Sequence, residues 1–187
     1  MAQVAGGRPL AAEIVSTYAR ANNTTSYVIN SGAGVLVANS TTAGSVTFPS
    51  FTLPDGGTRA VITDPWLQTP TTGLNWPTAC QAYVSLYYAA PTATVGDGGD
   101  WGNSLAVGGP NLICTCHLAI TGLFYSDRST WMGSVPNDAP MPGIGFQVPV
   151  GTPIYWSVIF YNPGGAQVTL PTTANQQFRL SLSANIQ

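Results

Sequence analysis

One histidine, three cysteines and seven acids carry whatever acid–base, nucleophilic or metal chemistry this chain of 187 residues can perform. The histidine is His117. A nucleophilic serine needs such a base beside it, and one common arrangement marks that serine with a G-x-S-x-G turn, which is absent. His117 is therefore expected to be a packed or rim side chain. In "CTCHLA", strand geometry turns Cys114 and Cys116 to one face and His117 to the other. The three do not converge on one zinc, and no fourth ligand stands nearby. Cys80 lies in a separate segment and could bridge to Cys114 or Cys116 across a sheet. An odd cysteine count leaves one unpaired, and buried free thiols are the expectation. Asp97 and Asp100 in "GDGGDWGN" could hold calcium, but their spacing is not that of an EF-hand loop, and a plain Gly/Asp turn is the simpler reading. The acids Glu13, Asp55, Asp64, Asp97, Asp100, Asp127 and Asp138 sit mostly in turn contexts, and nothing marks two of them as a glycosidase pair. No enzyme activity, metal or cofactor is expected.

Five tryptophans offer a different chemistry: Trp66, Trp76, Trp101, Trp131 and Trp156. Four of them lie in loop-like sequence. Exposed indoles can stack on sugars, and they can equally anchor a protein interface. A chain so poor in the polar and charged groups that orient a sugar favours the interface, with Trp101 and Trp131 as contacts. Asn22, Asn23 and Asn39 open Asn-x-Ser/Thr triplets, which matter only in a secretory lumen.

The composition explains that preference. Only 6% of residues are charged, against roughly a quarter in average soluble proteins, and every basic residue is an arginine. A free monomer normally keeps soluble through surface charge. This composition suits a subunit whose exterior is largely covered by neighbours, because few charges need desolvating there. A net charge of −2 without basic clusters argues against nucleic-acid binding. No apolar run approaches the ~18 residues of a membrane helix. The opening "MAQVAGGRPLAAE" shows no charged segment followed by an apolar one, so no secretory leader is expected.

The elements that must position these residues read as strands. Apolar and polar residues alternate with period two between Gly/Pro/Asn clusters. "EIVSTYA" is a weak strand; "TSYVIN" and "GVLVA" flank the turn at Ser31–Gly34. A strand, a turn at Pro54–Gly57 and a second strand from Arg59 to Thr63 follow. "CQAYVSLYY" puts Cys80, Ala82, Val84 and Leu86 on one face. "LICTCHLAITGLFY" is long and rich in strand formers. "GIGFQVPV" alternates through Ile144, Phe146, Val148 and Val150. "PIYWSVIFYNPGGAQVTL" reads as a hairpin turning at Asn162–Gly165, its first arm covered on both faces. "QFRLSLSANI" buries Phe178, Leu180, Leu182 and Ala184. Nine or ten strands and no helix predict one all-β domain over residues 1–187, an antiparallel β-sandwich of jelly-roll type, with an Ig-like sandwich as the alternative. Residues 1–10 are expected to form an extended N-terminal arm, and Thr94–Asn111 a long contact or binding loop.

Several motifs resemble those of small virion proteins of tailed bacteriophages. "GGRPLAAEIVSTYARANNTTSYVINSGAG" is similar to their N-terminal pattern of Arg-Pro or Arg-Phe, a strand, then R-x-A-N-T-T-x-Y; Arg20, Ala21, Asn22, Thr24, Thr25 and Tyr27 match, with Asn23 as an insertion. The Gly-Asp that follows in the family is Asn30-Ser31-Gly32 here. "GGTRAVITDPWLQT" looks like the family's Gly-rich turn and I-x-x-x-x-L-x-T strand, "AYVSLYYAAPTATVGDGGDW" like its L-x-L-F-x-x-x-P-x-x-x-x-D-N, and "QQFRLSLSANI" fits its last strand. Residues 112–149 match only loosely. The resemblance implies a non-enzymatic virion protein, a decoration or cementing subunit that binds the major capsid protein on the head surface and pairs with itself as a trimer or dimer. Other virion roles (head fibre, tail or receptor-binding subunit) and a carbohydrate-binding module are the alternatives. The capsid contact is expected at Arg8, Pro9 and Leu10 of the arm, together with Trp101 and Trp131. The chain would be made in the host cytoplasm and end on the capsid.

Overall fold

A computed structural model describes residues 10–69, 80–102, 111–120, 129–133 and 143–187. Thirteen strands occur among them: β1 Leu10–Ala19, β2 Tyr27–Ile29, β3 Gly34–Val37, β4 Ser50–Phe51, β5 Arg59–Thr69, β6 Gln81–Tyr87, β7 Asp100–Gly102, β8 Leu112–Ile120, β9 Ser129–Gly133, β10 Ile144–Gln147, β11 Ile154–Tyr161, β12 Val168–Leu170 and β13 Gln177–Ile186. The described residues form no α-helix, and the chain is all-β with antiparallel pairing throughout. Two strands that alternation does not predict are present: β7, three residues long and too short to show a period, and β9, five residues long.

The pairings are nested. β1 pairs β13, β3 pairs β11, β5 pairs β10 and β6 pairs β8, so the first half of the chain is zipped against the second in reverse order. Two further ladders, β13 with β5 and β11 with β6, draw these pairs side by side. One run is thus β1–β13–β5, carrying β9 and β10 on β5, and the other is β3–β11–β6–β8. β9 also pairs β8 and links the two runs. β2 and β12 form a separate two-stranded ribbon.

The core lies between the runs. β13 alternates buried and outward residues along its whole length, burying Phe178, Leu180, Leu182, Ala184 and Ile186. These meet Trp156, Val158 and Phe160 of β11 and Val84 and Leu86 of β6. Trp156 is fully buried; its ring meets Tyr18 of β1 edge-on at 5.9 Å, and its Nε1 donates to Ser16 Oγ at 2.9 Å. Phe160 packs on both Phe178 and Tyr27. Removing a buried ring of this kind typically costs about 3–5 kcal/mol. β11 is covered on its other face as well, where Ile159 joins Leu36, Ala38, Phe48 and Trp101 in a second cluster. That double burial is why its sequence is apolar at nearly every position.

Three local expectations change. The segment read as a hairpin is not one: β11 already has β3 and β6 on its two edges, so the chain beyond Asn162 leaves and β12 pairs β2. The strand expected to stop at Thr63 continues to Thr69. A β-bulge opposite Ser183 and Ala184 absorbs Thr63, and Pro65 follows it, where a missing N–H is tolerated. Phe146 and Val148 are buried as expected, but Val150 is 65% exposed because the chain turns there, Thr152 N–H donating to Pro149 O. The turn at Pro54–Gly57 is present, with Asp55 and Gly56 in the left-handed region. The boundary placed at residue 10 falls on the first residue of β1, where Leu10 pairs Ile186. Residues 1–9, including Arg8 and Pro9, lie outside the described residues.

Candidate functional site

The densest polar constellation centres on Asp97, in the loop before β7. Its side chain accepts from five donors: Arg20 Nε at 3.1 Å, Arg20 Nη2 at 2.8 Å, Asn23 Nδ2 at 3.1 Å, Tyr27 Oη at 2.7 Å and the Ala38 backbone N–H at 2.9 Å. The ion pair is shut off from solvent, with side-chain exposures of 1% for Arg20 and 0% for Asp97. The Arg20 guanidinium lies 4.5 Å from the centre of the Tyr27 ring and also donates to Thr25 O. Tyr27 is held in its neutral form by burial first and by the Asp97 charge second, so its phenol titrates well above the ordinary range. Asp97 does lie in a Gly/Asp turn, closed by Gly99 N–H donating to Gly96 O, but its carboxylate is spent on protein donors, which the turn reading does not foresee.

The knot ties the end of β1, the start of β2, the end of β3 and the loop before β7. Local backbone seats that loop: Asp97 N–H donates to Ser40 O and Gly98 N–H to Leu36 O. Gly96 has to be glycine, since a Cβ there would run into the Thr41 backbone. Asn23 is also accounted for, because its amide nitrogen, the atom that a glycan would need, donates to Asp97. The acceptor directions of Asp97 are all taken up, so its carboxylate ties these segments together, while Arg20 Nη1 is buried without a hydrogen-bond partner.

His117 sits on β8 with its ring stacked on Tyr83 at 4.7 Å and 5°, and Tyr161 meets Tyr83 edge-on. Burial pushes its imidazole below the usual value, and its Nε2 is buried with no hydrogen-bond partner. Cys80, Cys114 and Cys116 are free thiols. Cys114 keeps its proton and donates toward the Cys116 sulfur, which raises the first and lowers the second. Cys114 and Cys116 stand opposite Leu86 and Val84 of β6, whereas Cys80 precedes that strand at the opposite end. Among the described residues no group of three His, Cys, Asp or Glu is placed to hold a metal ion. No described helix is long and apolar enough to cross a membrane.

The tryptophans are not on loops where the structure describes them. Trp66 is in β5, Trp101 in β7 and Trp131 in β9; Trp76 lies outside the described residues. Trp101 is 7% exposed and belongs to the second apolar cluster, so its ring is spent on packing within the subunit. The long loop expected from Thr94 is interrupted by β7, and its later part, residues 103–110, lies outside the described residues. Sequence reasoning missed Arg20, Tyr27 and the charged outer face of β1–β13–β5. Arg20 was visible as an arginine directly after an apolar strand, but its partner is 77 residues away.

No protein-family model matches the chain, and no curated protein does.

Proposed function

We propose that this protein is a non-enzymatic structural subunit of a virion, built as a jelly-roll β-sandwich. The observation that carries the reading is the nesting of β1–β13, β3–β11, β5–β10 and β6–β8. Rolling up four nested antiparallel pairs gives two facing four-stranded sheets, the architecture of many viral shell proteins and also of lectin and cupin domains. The charge content of 6% supports an exterior covered by other subunits over a free monomer or a cupin enzyme.

The particular role we assign is decoration of the capsid exterior. A subunit that binds only the assembled shell stabilises it by its own binding free energy, and many identical contacts multiply the effect. Arg8, Pro9 and Leu10 are the proposed contact with the major capsid protein. Arginine there suits bidentate pairing with an acidic rim.

The strand nesting favours one second reading, in which the chain builds the shell itself. One experiment separates the two. Recombinant chain is mixed with stripped heads of the encoding virus and their melting temperature is followed, while the chain alone is imaged by electron microscopy. Decoration predicts a raised melting temperature and no particles from the chain alone. Closed particles from the chain alone assign it to the shell. Absence of the chain from purified virions, or a copy number of a few per particle, overturns both.

A further inference from the structure

The outer face of β1–β13–β5 carries a trough that the virion role does not use. Its floor is β13, which turns the small side chains of Ser181 and Ser183 outward. Its walls are β1 and β5, in register on either side: Glu13, Ser183 and Asp64 form one row, and Val15, Ser181 and Trp66 the next. Two strand spacings separate the walls, about 9.5 Å. The resulting depression of about 490 Å³ is lined by Glu13, Asp64, Trp66, Gln68, Arg179 and the two serines. Smaller depressions of about 350 and 330 Å³ share Glu13 with it, one passing Asn185 and the other Ser50 and Thr52. The concave strip therefore runs across several strands. The β-bulge shapes it, because the extra residue Thr63 leaves both Thr63 and Asp64 pointing outward.

The chemistry of the lining selects an occupant. Trp66 is half-buried and offers an apolar, π-rich surface. Glu13 and Asp64 accept hydrogen bonds, Arg179 donates, and Gln68 does both. Arg179 Nη2 and Glu13 Oε1 stand 3.7 Å apart, too far for a hydrogen bond, and both side chains are about half exposed, so each keeps its capacity for a ligand. In a chain with five basic and seven acidic residues, three charges in the lining of one trough are a concentration. A protein partner would have to desolvate two carboxylates with one guanidinium to pair them. An anionic ligand would meet a net negative lining. A neutral sugar meets neither obstacle: its C–H face covers an indole, and its hydroxyls replace water on carboxylate, amide and guanidinium.

We propose that this trough is a binding site for a neutral oligosaccharide, with Trp66 stacking on a pyranose face and Glu13, Asp64, Gln68 and Arg179 holding its hydroxyls. The inference does not rest on the virion reading, since it concerns one face of the isolated subunit. Sugar binding with no capsid association, or the reverse, tells the two apart.

The test uses the full-length chain on an array of neutral and sialylated oligosaccharides, followed by titration calorimetry with the neutral hit. Binding to one neutral class is expected. Trp66→Ala should weaken it by about tenfold or more, the loss of one aromatic contact. Ser181→Tyr, which fills the floor without removing a ligand group, should abolish it. Trp66→Phe should restore part of the affinity that Trp66→Ala loses, with both variants checked by thermal melting. Failure to bind any neutral glycan, preference for sialylated ones, or binding unchanged by both Trp66→Ala and Ser181→Tyr would overturn the assignment.

Discussion

Arg20 and Asp97 meet at 2.8 Å inside the protein, 77 residues apart in sequence, with neither side chain open to water. A buried pair of this kind stabilises little relative to an apolar replacement, but breaking it strands a charge. Asp97→Ala leaves the guanidinium, the Tyr27 hydroxyl and the Ala38 N–H without their shared acceptor. The expected loss is about 3–5 kcal/mol by urea denaturation. The double variant Arg20→Met with Asp97→Leu should lose less than Asp97→Ala alone. A loss below about 1 kcal/mol for Asp97→Ala would mean that the pair behaves like an exposed one.

Ser16 Oγ is the acceptor for the Trp156 indole N–H and donates onward to Ser50 O at 3.3 Å. Ser16→Ala leaves a buried donor unpaired, at a cost of about 1–3 kcal/mol. Trp156→Phe in the Ser16→Ala background removes that orphan, so the two changes should not add. Urea midpoints of the two single variants and the double variant check this, and strict additivity would show that the bond contributes nothing.

The tyrosines set an alkaline limit. Burial raises the Tyr18 phenol to about 12, and its hydroxyl accepts from Asn39 N–H while donating to Thr47 O. Tyr27 is raised too. Unfolded tyrosine ionises near 10, so Tyr18 contributes stability that is complete below about pH 10 and lost as pH rises toward 12, and Tyr27 acts in the same direction. Tyr18→Phe should flatten that fall in melting temperature between pH 10 and 12. An unchanged slope would place the alkaline sensitivity elsewhere.

Cys80 is fully buried, and its thiol is pushed up to about 12 chiefly by that burial. The thiolate is the reactive form, so iodoacetamide at pH 8 should leave Cys80 unlabelled in the folded protein and label it in urea. Peptide mass spectrometry reads both states. Labelling of native Cys80 within minutes would show that the segment before β6 opens.

The period-two alternation by itself determined that the chain is all-β and which residues of β6, β10 and β13 face inward, because strand geometry sends neighbours to opposite faces whatever the partner. Val84, Leu86, Phe146, Leu180 and Leu182 are buried for that reason. Low charge and a lone histidine likewise limited the chemistry before any fold was drawn. Partner choice is a different matter. A strand edge offers the same N–H and C=O groups to any neighbour, and register and pairing follow from burial summed over the whole domain. Only the tertiary structure could therefore send β12 to β2 in place of β11, or carry β5 through Pro65 on a bulge. The same holds for side chains whose meaning lies in a distant partner. Asp97 is legible in sequence as a turn residue, but only the fold brings Arg20, Asn23, Tyr27 and Ala38 around its carboxylate. Trp66 looks like a loop tryptophan until β13 lays two serines beside it.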